Sequence, residues 1–447
     1  MIYKKGKDRE ALKSLLTLAL PMVGSQLLQL TYNFIDMIWV GKLGADSVAA
    51  VGSAGFFLNL GWAMASMVTV GVNVKLSQAI GAKKERYAKI VAKSGFLGIA
   101  ILAVIFSVTM GSSSTFWIST FAMKSEWVNI AASQYLSIGA WGSVITLINL
   151  LFISILNSYK QTKKSFKINS IGFILNIVLD PLLIFKFNMG VQGAIIATLI
   201  SKAITLIFLF REVHKNAYMK VNISQEGGKC LKSIVSLGFP TALQRVIFGL
   251  IYIVMGRFIA SFGTDAIAIQ KIGIQIESIT FTLVAGISQA STVIVGQLCG
   301  AKKYHEIKQT YRQALLLAAC MGVFLTIIFL SIPEMLIRIF VDSPSVVQGG
   351  ALYLRIIGIS QVFMTAEMIG MGTLNGLGRT VIPPVNSILL TSLRIPLAYV
   401  MAFSFSYGLM GIWWSISITS VLKGLVLTGM VFYVFNKKIT DDETVAN

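Results

Sequence analysis

LALPMVGSQLLQLTYNFIDMIWVGKLG at residues 18–44 returns without a gap as LGFPTALQRVIFGLIYIVMGRFIASFG at 237–263. A shift of 219 residues, Pro21 to Pro240, superposes them and keeps register far beyond both stretches. Gly44 falls on Gly263, Asp46 on Asp265, Ala49 on Ala268, Gln78 on Gln297, and Gly81-Ala-Lys-Lys on Gly300-Ala-Lys-Lys. One deletion later the shift is 218. Tyr135 then meets Tyr353, Leu156-Asn157 meets Leu374-Asn375, Thr162 meets Thr380, and Gly190 and Gly193 meet Gly408 and Gly411. The chain is a duplication, read as an N-terminal half over 1–210, a charged linker over 211–232 and a C-terminal half over 233–447.

Each quoted stretch is apolar for longer than the roughly 20 helical residues that cross a hydrocarbon core. Such runs recur near 15–40, 49–74, 94–114, 128–156, 168–185, 191–210, 233–260, 266–298, 313–333, 349–377, 381–404 and 409–435. Barrel strands would be shorter and would alternate with period two, and these runs do neither. With 55% hydrophobic and 13% charged residues among 447, the chain carries too much apolar surface for a water-soluble core. The expected fold is an all-α membrane protein of twelve transmembrane helices in two six-helix lobes. Six helices per half place both halves the same way up, so the lobes should be related by a pseudo-twofold axis along the membrane normal.

The net charge of +20 raises nucleic acid as a partner, and its distribution argues against that. Lys4, Lys5, Lys7, Arg9, Lys83, Lys84, Arg86, Lys163, Lys164, Lys302 and Lys303 all fall on one set of alternate loops and tails, while the other set holds Lys42, Lys124, Lys186 and Arg338. That bias is the positive-inside rule, and it places both termini in the cytoplasm and the chain in the inner membrane. The first apolar run is too long for a signal peptide, contains Pro21 and is expected to be retained. Cys230, Cys299 and Cys320 show no CxxC or His spacing, and P-loop, GxSxG and HExxH motifs are absent from the sequence, so neither a metal site nor an enzyme is expected.

Polar residues inside these spans are the candidates for function. Gln29, Tyr32, Asn33 and Asp36 follow i, i+3, i+4, i+7 spacing and form one stripe on the first helix. A charge at the bilayer centre costs about 2.5–3.5 kcal/mol on insertion scales, so Asp36 needs compensation. The fifth span offers Asn169, Asn176 and Asp180 on one face, with Pro181 able to loosen the helix there. The fourth adds Tyr135 and Asn149, and the sixth adds Thr198. The repeat separates site from scaffold, because Gln29 becomes Phe248, Asp36 becomes Met255, Asn176 becomes Arg394, Asp180 becomes Ala398 and Thr198 becomes Ile416 in the second half. The plainer reading is a set of buried polar residues that join helices by hydrogen bonds.

LALPMVGSQLLQLTYNFIDMIWVGKLG, NIVLDPLLIF at 176–185, GVQGAIIAT at 190–198 and LGFPTALQRV, with IESITF and IVGQLCGAKK after it, together resemble the blocks of the multidrug and toxic compound extrusion (MATE) family over nearly the whole chain. The resemblance implies a V-shaped pair of six-helix lobes that exports organic, often cationic compounds in exchange for protons or sodium. The aspartate in YNFID is similar to that of the DinF-type branch. In such relatives the positions matching Gln29, Asp36, Tyr135, Asn149, Asn176, Asp180 and Thr198 form a hydrogen-bonded cation site in the first lobe. The chain departs from the family after the fourth span, where a GDT-like turn is replaced by Asn157-Ser-Tyr-Lys-Gln-Thr162.

The mechanism expected from these residues neutralises Asp36 or Asp180, by a proton or by sodium held between them, and bends the first helix near Pro21 to release substrate outward. Glu277 and Glu367 make an alternative coupling site in the second half, where Lys271, Arg245, Arg257 and Arg394 offer ion pairing as the competing reading. Met37, Met64, Met67 and Phe152 are candidates for a substrate pocket, although packing or lipid contact explains such residues as well. Expected partners are a small amphipathic or cationic substrate and membrane lipid, with proton or sodium as the coupling ion, no cofactor, and a monomeric chain. A lipid-linked sugar flippase is the alternative function, since relatives of this fold serve that role.

Overall fold

The computed structural model describes residues 2–216 and 228–445, helical almost throughout; the centre of the expected 211–232 linker lies outside the described residues. The first half contains α1 (Ile2–Gly41), α2 (Ala45–Gly81), α3 (Glu85–Ser112), the short α4 (Ser114–Ser119), α5 (Glu126–Ser158), α6 (Thr162–Pro181) with a π-helical turn after it (Leu182–Lys186), and α7 (Gly190–Lys215). The second half repeats that order with α8 (Leu231–Ala260), α9 (Thr264–Gly300), α10 (Tyr304–Ser331), the short α11 (Pro333–Arg338), α12 (Pro344–Gly358), α13 (Gln361–Gly376), α14 (Ile382–Ser392), α15 (Arg394–Tyr399), a second π-helical turn (Val400–Ser404) and α16 (Gly408–Val445). Among the described residues eleven helices are each long and apolar enough to span a bilayer, and α12 with α13, bent by 52° where they meet, supplies a twelfth span.

The halves match down to their loops. Positive φ angles fall at Gly44 and Gly263, at Lys83 and Lys302, and at Gly190 and Gly408, each pair at the repeat offset. Lys160, in the turn that departs from the family pattern, has φ 59° where its counterpart is Gly378 at 78°. A lysine tolerates this left-handed conformation less well than glycine does. Partial burial also lowers the Lys160 ammonium pKa, because desolvation disfavours its charge.

Contacts divide the chain into two compact units, one of residues 24–242 and the other of residues 1–23 with 243–447. Both boundaries fall inside a helix, two residues beyond Pro21 in α1 and two beyond Pro240 in α8. In the 24–242 unit, α5 is the central helix and packs on α2, α3 and α7. Its core includes Val68, Val72, Leu76, Leu147, Leu151 and Ile155, and takes in Ile234 from the start of α8. In the other unit α13 takes the central place, against α9, α10 and α16. The start of α1 belongs to this second unit, with Leu15, Leu18, Ala19 and Met22 packed among Val284, Ile287 and Ile294.

Where α5 is one unbroken helix, its counterpart breaks between Gly358 and Gln361, and hydroxyls and an amide satisfy the carbonyls around the break. Ser417 Oγ donates to Ile356 O at 3.1 Å, Ser360 Oγ (2.8 Å) and Gln361 Nε2 (3.3 Å) donate to Ile357 O, and Thr326 Oγ1 donates to Gly358 O at 2.7 Å. Without these donors the break would strand polar backbone at membrane depth, which is costly. The first half retains one of them, Ser107 Oγ to Ala140 O at 2.8 Å, at the same repeat position.

The two π-helical turns also coincide in the repeat, although the first follows Pro181 and the second follows Tyr399. The wide turn therefore does not require that proline. Common to both is a glycine on the following helix that touches the turn's backbone. A Cβ on Gly193 would lie 2.8 Å from Leu183 C, and one on Gly411 2.6 Å from Met401 C. Gly193→Ala and Gly411→Ala should each cost about 1–3 kcal/mol through overpacking, read as a lower melting temperature of the purified protein. Gly52→Ala and Gly55→Ala, where a Cβ meets nothing within 4 Å, should leave melting unchanged.

Candidate functional site

The sequence-predicted polar residues of the 24–242 unit gather around two carboxylates. On α1, Tyr32 and Asp36 are one turn apart and share a face. On α6, Asn176 and Asp180 are also one turn apart, both fully buried, and Asn176 Nδ2 donates to Asp180 Oδ1 at 2.9 Å. Asp36 lies within electrostatic range of Asp180. Tyr135 of α5, itself buried, lies within that range of Asp36, Asp180 and Tyr32. From α7, Thr198 faces the Tyr32 hydroxyl without completing a well-formed hydrogen bond. Four helices therefore converge on the acidic pair.

The unmet valences of the cluster define its chemistry. Asp36 Oδ1, Asp180 Oδ2 and Asn176 Oδ1 are buried acceptors with no donor, and the Tyr32 hydroxyl is unpartnered beside them. An unsatisfied buried polar atom costs about 1–3 kcal/mol, and more when it is charged. Acceptor oxygens from two carboxyls and an amide suit a proton or a small hard cation, which prefers oxygen ligands. Among the described residues no three His, Cys, Asp or Glu side chains assemble as a metal site, so a cation here would lean on the amide and hydroxyls as well as the two carboxyls.

Three of the expected residues sit apart from this core. Gln29 Nε2 donates to Asn33 Oδ1 at 3.1 Å on the more open side of α1. Asn149 is buried but turns to α7, where its Nδ2 donates to Lys202 O at 2.8 Å. Of the candidate pocket residues, Met37 is exposed and Met64 packs against a core cluster. The Met67 carbonyl lies where a Cβ on Gly238 would fall. Phe152 is buried in the core and stacks on Phe96 with ring centroids 6.3 Å apart. α1 continues as a helix through Pro21.

Sequence reasoning missed Lys202. It lies one turn beyond Thr198 on α7, and its ammonium sits over the Tyr32 ring, 5.2 Å from the centroid. The available signal was a lone lysine in the middle of an apolar span, four residues from a residue already singled out.

The second unit arranges its charges differently. Glu367, 8% exposed, pairs with Lys423 at 3.1 Å and accepts a hydrogen bond from Ser387 Oγ at 2.8 Å. Glu277 accepts from the Tyr353 hydroxyl at 3.2 Å and faces Gln361 and the Arg394 guanidinium. Arg394 in turn donates from Nε to Thr419 Oγ1 at 3.1 Å and from Nη2 to Ser420 Oγ at 3.4 Å. Both of these carboxylates face an internal cation, Glu367 at ion-pair distance and Glu277 at longer range, whereas Asp36 and Asp180 have no ion pair among the described residues. Arg245, Arg257 and Lys271 are exposed and make no ion pair there. Lys423, a second lone lysine in an apolar span, also escaped the sequence reading.

Comparison with known proteins gives the chain a family. The MatE family model matches the chain twice, over residues 21–182 and 240–400, and the two matches reproduce the internal repeat at both ends. A relative from Thermotoga maritima, "Probable multidrug resistance protein NorM", is 29% identical over 90% of this chain and 88% of its own length. "Multidrug export protein MepA" of Staphylococcus aureus is 23% identical over 96% of this chain and 95% of its own. A solved MOP superfamily transporter from Pyrococcus furiosus superposes with a TM-score of 0.88 at 24% identity, covering 95% of this chain and 96% of the other. With both halves matched by one family model and nine-tenths or more of the chain aligned to multidrug resistance and export proteins, this multi-pass membrane protein belongs to the MatE family of transporters.

Proposed function

We propose that the protein exports amphipathic or cationic organic compounds from the cytoplasm, driven by inward movement of a proton or sodium ion that binds at Asp36 and Asp180. The observation that carries this reading is the unpaired state of that acidic pair. Three buried acceptor oxygens converge there with no donor, while the carboxylates of the other unit face Lys423 and Arg394. A charge at this depth is expensive, and an arriving cation removes the expense. The names of the relatives, multidrug resistance and multidrug export proteins, support the compound class.

In this mechanism an unoccupied acidic pair keeps α1 and α6 apart electrostatically and in need of solvent. Occupation neutralises it, lets the two helices close, and transmits the change along α1 to Pro21, where a missing backbone hydrogen bond makes bending cheap. The chain would act in the cytoplasmic membrane with both ends inside. Ethidium efflux from vesicles carrying the purified protein, under imposed pH or sodium gradients, tests the reading. Efflux should rise at least several-fold with one gradient and collapse when an ionophore dissipates it. Wild-type transport indifferent to both gradients would overturn ion coupling and favour the flippase alternative.

A further inference from the structure

We propose that Lys202 is a tethered cation of the first-unit site, a positioning residue that holds the Tyr32 ring face and competes with the coupling ion for the Asp36–Asp180 pair. The inference rests on the acidic pair being the coupling site and adds to it a resident competitor.

Four observations carry it. Lys202 lies twelve residues into the span that begins at Gly190, about 18 Å along the helix and so near mid-membrane. A lysine at that depth is costly and is rarely kept without a partner. No carboxylate lies within ion-pair distance of it among the described residues; its ammonium rests instead on the Tyr32 ring, an attraction that strengthens away from water. Tyr32 links the two charges, being electrostatically coupled to both Asp36 and Asp180. Asn149 fixes the Lys202 backbone through its carbonyl, so only the flexible side chain is free to move.

The repeat supports the same position. Ser420 is the counterpart of Lys202, and Arg394, the counterpart of Asn176, reaches it with a guanidinium hydrogen bond. There the cation faces the hydroxyls of Tyr252 and Tyr353 and a carboxylate, Glu277. Both units thus carry a positive group at or beside this repeat position, supplied from different helices. The groups facing the first-unit site are Tyr32 and Asp36 from α1, Tyr135 from α5 and Asp180 from α6. Lys202 reaches this set through the Tyr32 ring, and among the described residues no lysine or arginine forms an ion pair with Asp36 or Asp180. When the acidic pair is empty, the ammonium swings off the ring toward it; when a proton or sodium arrives, the ammonium returns to Tyr32.

The test is carbodiimide labelling of protonated Asp36 and Asp180 in the full-length purified protein, read by mass spectrometry across a pH series, with ethidium efflux measured on the same samples. Lys202→Met should move the labelling midpoint upward by about one pH unit, since a nearby cation favours the ionised carboxyl. Lys202→Arg, which keeps the charge, should restore the wild-type midpoint. Lys202→Gln serves as the neutral variant if the methionine variant does not fold. A neutral variant with the wild-type midpoint, or an arginine variant that behaves like the neutral one, overturns the inference. Gradient-driven efflux that survives Asp36→Asn would instead overturn the coupling site itself, so the two failures are distinguishable.

Discussion

Asp36→Asn should abolish gradient-driven export while leaving a folded protein that is at least as stable as the wild type. Asparagine has nearly the same shape as aspartate and retains an acceptor oxygen beside Asp180, but it neither takes up a proton near neutral pH nor contributes charge to a bound cation. Position 36 would be fixed in its neutral form whatever the gradient, leaving Asp180 without its partner carboxyl. Removing the charge also lifts an insertion penalty of about 2.5–3.5 kcal/mol and relieves the repulsion between Asp36 and Asp180. Activity and stability should therefore move in opposite directions, which separates loss of coupling from loss of fold. Vesicle efflux under a pH or sodium gradient reads the first, and thermal melting of the same preparation reads the second. Asp180→Asn should follow the same pattern less cleanly, because Asn176 Nδ2 would then meet either an amide oxygen or an amide nitrogen in place of Asp180 Oδ1. Full gradient-dependent efflux by Asp36→Asn would end the assignment.

Much of the architecture was legible because it is written twice. Twelve apolar runs, their six-plus-six division and the offsets of 219 and 218 residues reappear as matching helices, matching positive-φ turns and matching π-helical turns. Periodicity does not see what happens within a run. The 349–377 stretch reads as one continuous span, yet it bends by 52°, and the groups that make the bend tolerable, Thr326 and Ser417, lie on other helices. The proline in the fifth span was the visible reason to expect a loosened helix, yet the same wide turn forms beside Tyr399, where a glycine contact with α16 is the common element. In the site, Tyr32, Asp36, Asn176 and Asp180 could be grouped because helical spacing puts each pair on one face. Lys202 and Lys423 could not, since a single lysine in an apolar run has no periodic partner, and the residues that explain it come from other helices. Single polar residues in membrane spans are therefore worth treating as site members until a structure supplies their partners.

Lys423→Met should be among the most destabilising single changes in the chain, and combining it with Glu367→Gln should recover most of the loss. Glu367 and Lys423 join α13 to α16 at 3.1 Å with both side chains about nine-tenths buried. Ser387 holds the other Glu367 oxygen, and Asn386 Nδ2 donates to the Lys423 carbonyl at 3.3 Å. Removing one partner leaves the other charge buried without compensation, a loss of about 3–5 kcal/mol in comparable pairs. Removing both leaves a neutral amide that still accepts from Ser387 beside an apolar side chain of similar length, so the double variant should melt above Lys423→Met. A double variant no more stable than Lys423→Met would mean that the buried charge is not what makes the single change costly. The same variant also tests the division of labour between the units. If coupling belongs to Asp36 and Asp180, a folded double variant has lost one of the second unit's carboxylates and one of its internal cations yet keeps its dependence on the ion gradient. If Glu367 carries the coupling ion, that dependence disappears while the first-unit pair is intact. Because the Glu367–Lys423 pair is closed upon itself and the first-unit pair is not, the expected outcome is an exporter that tolerates neutralisation of the former and fails on neutralisation of the latter.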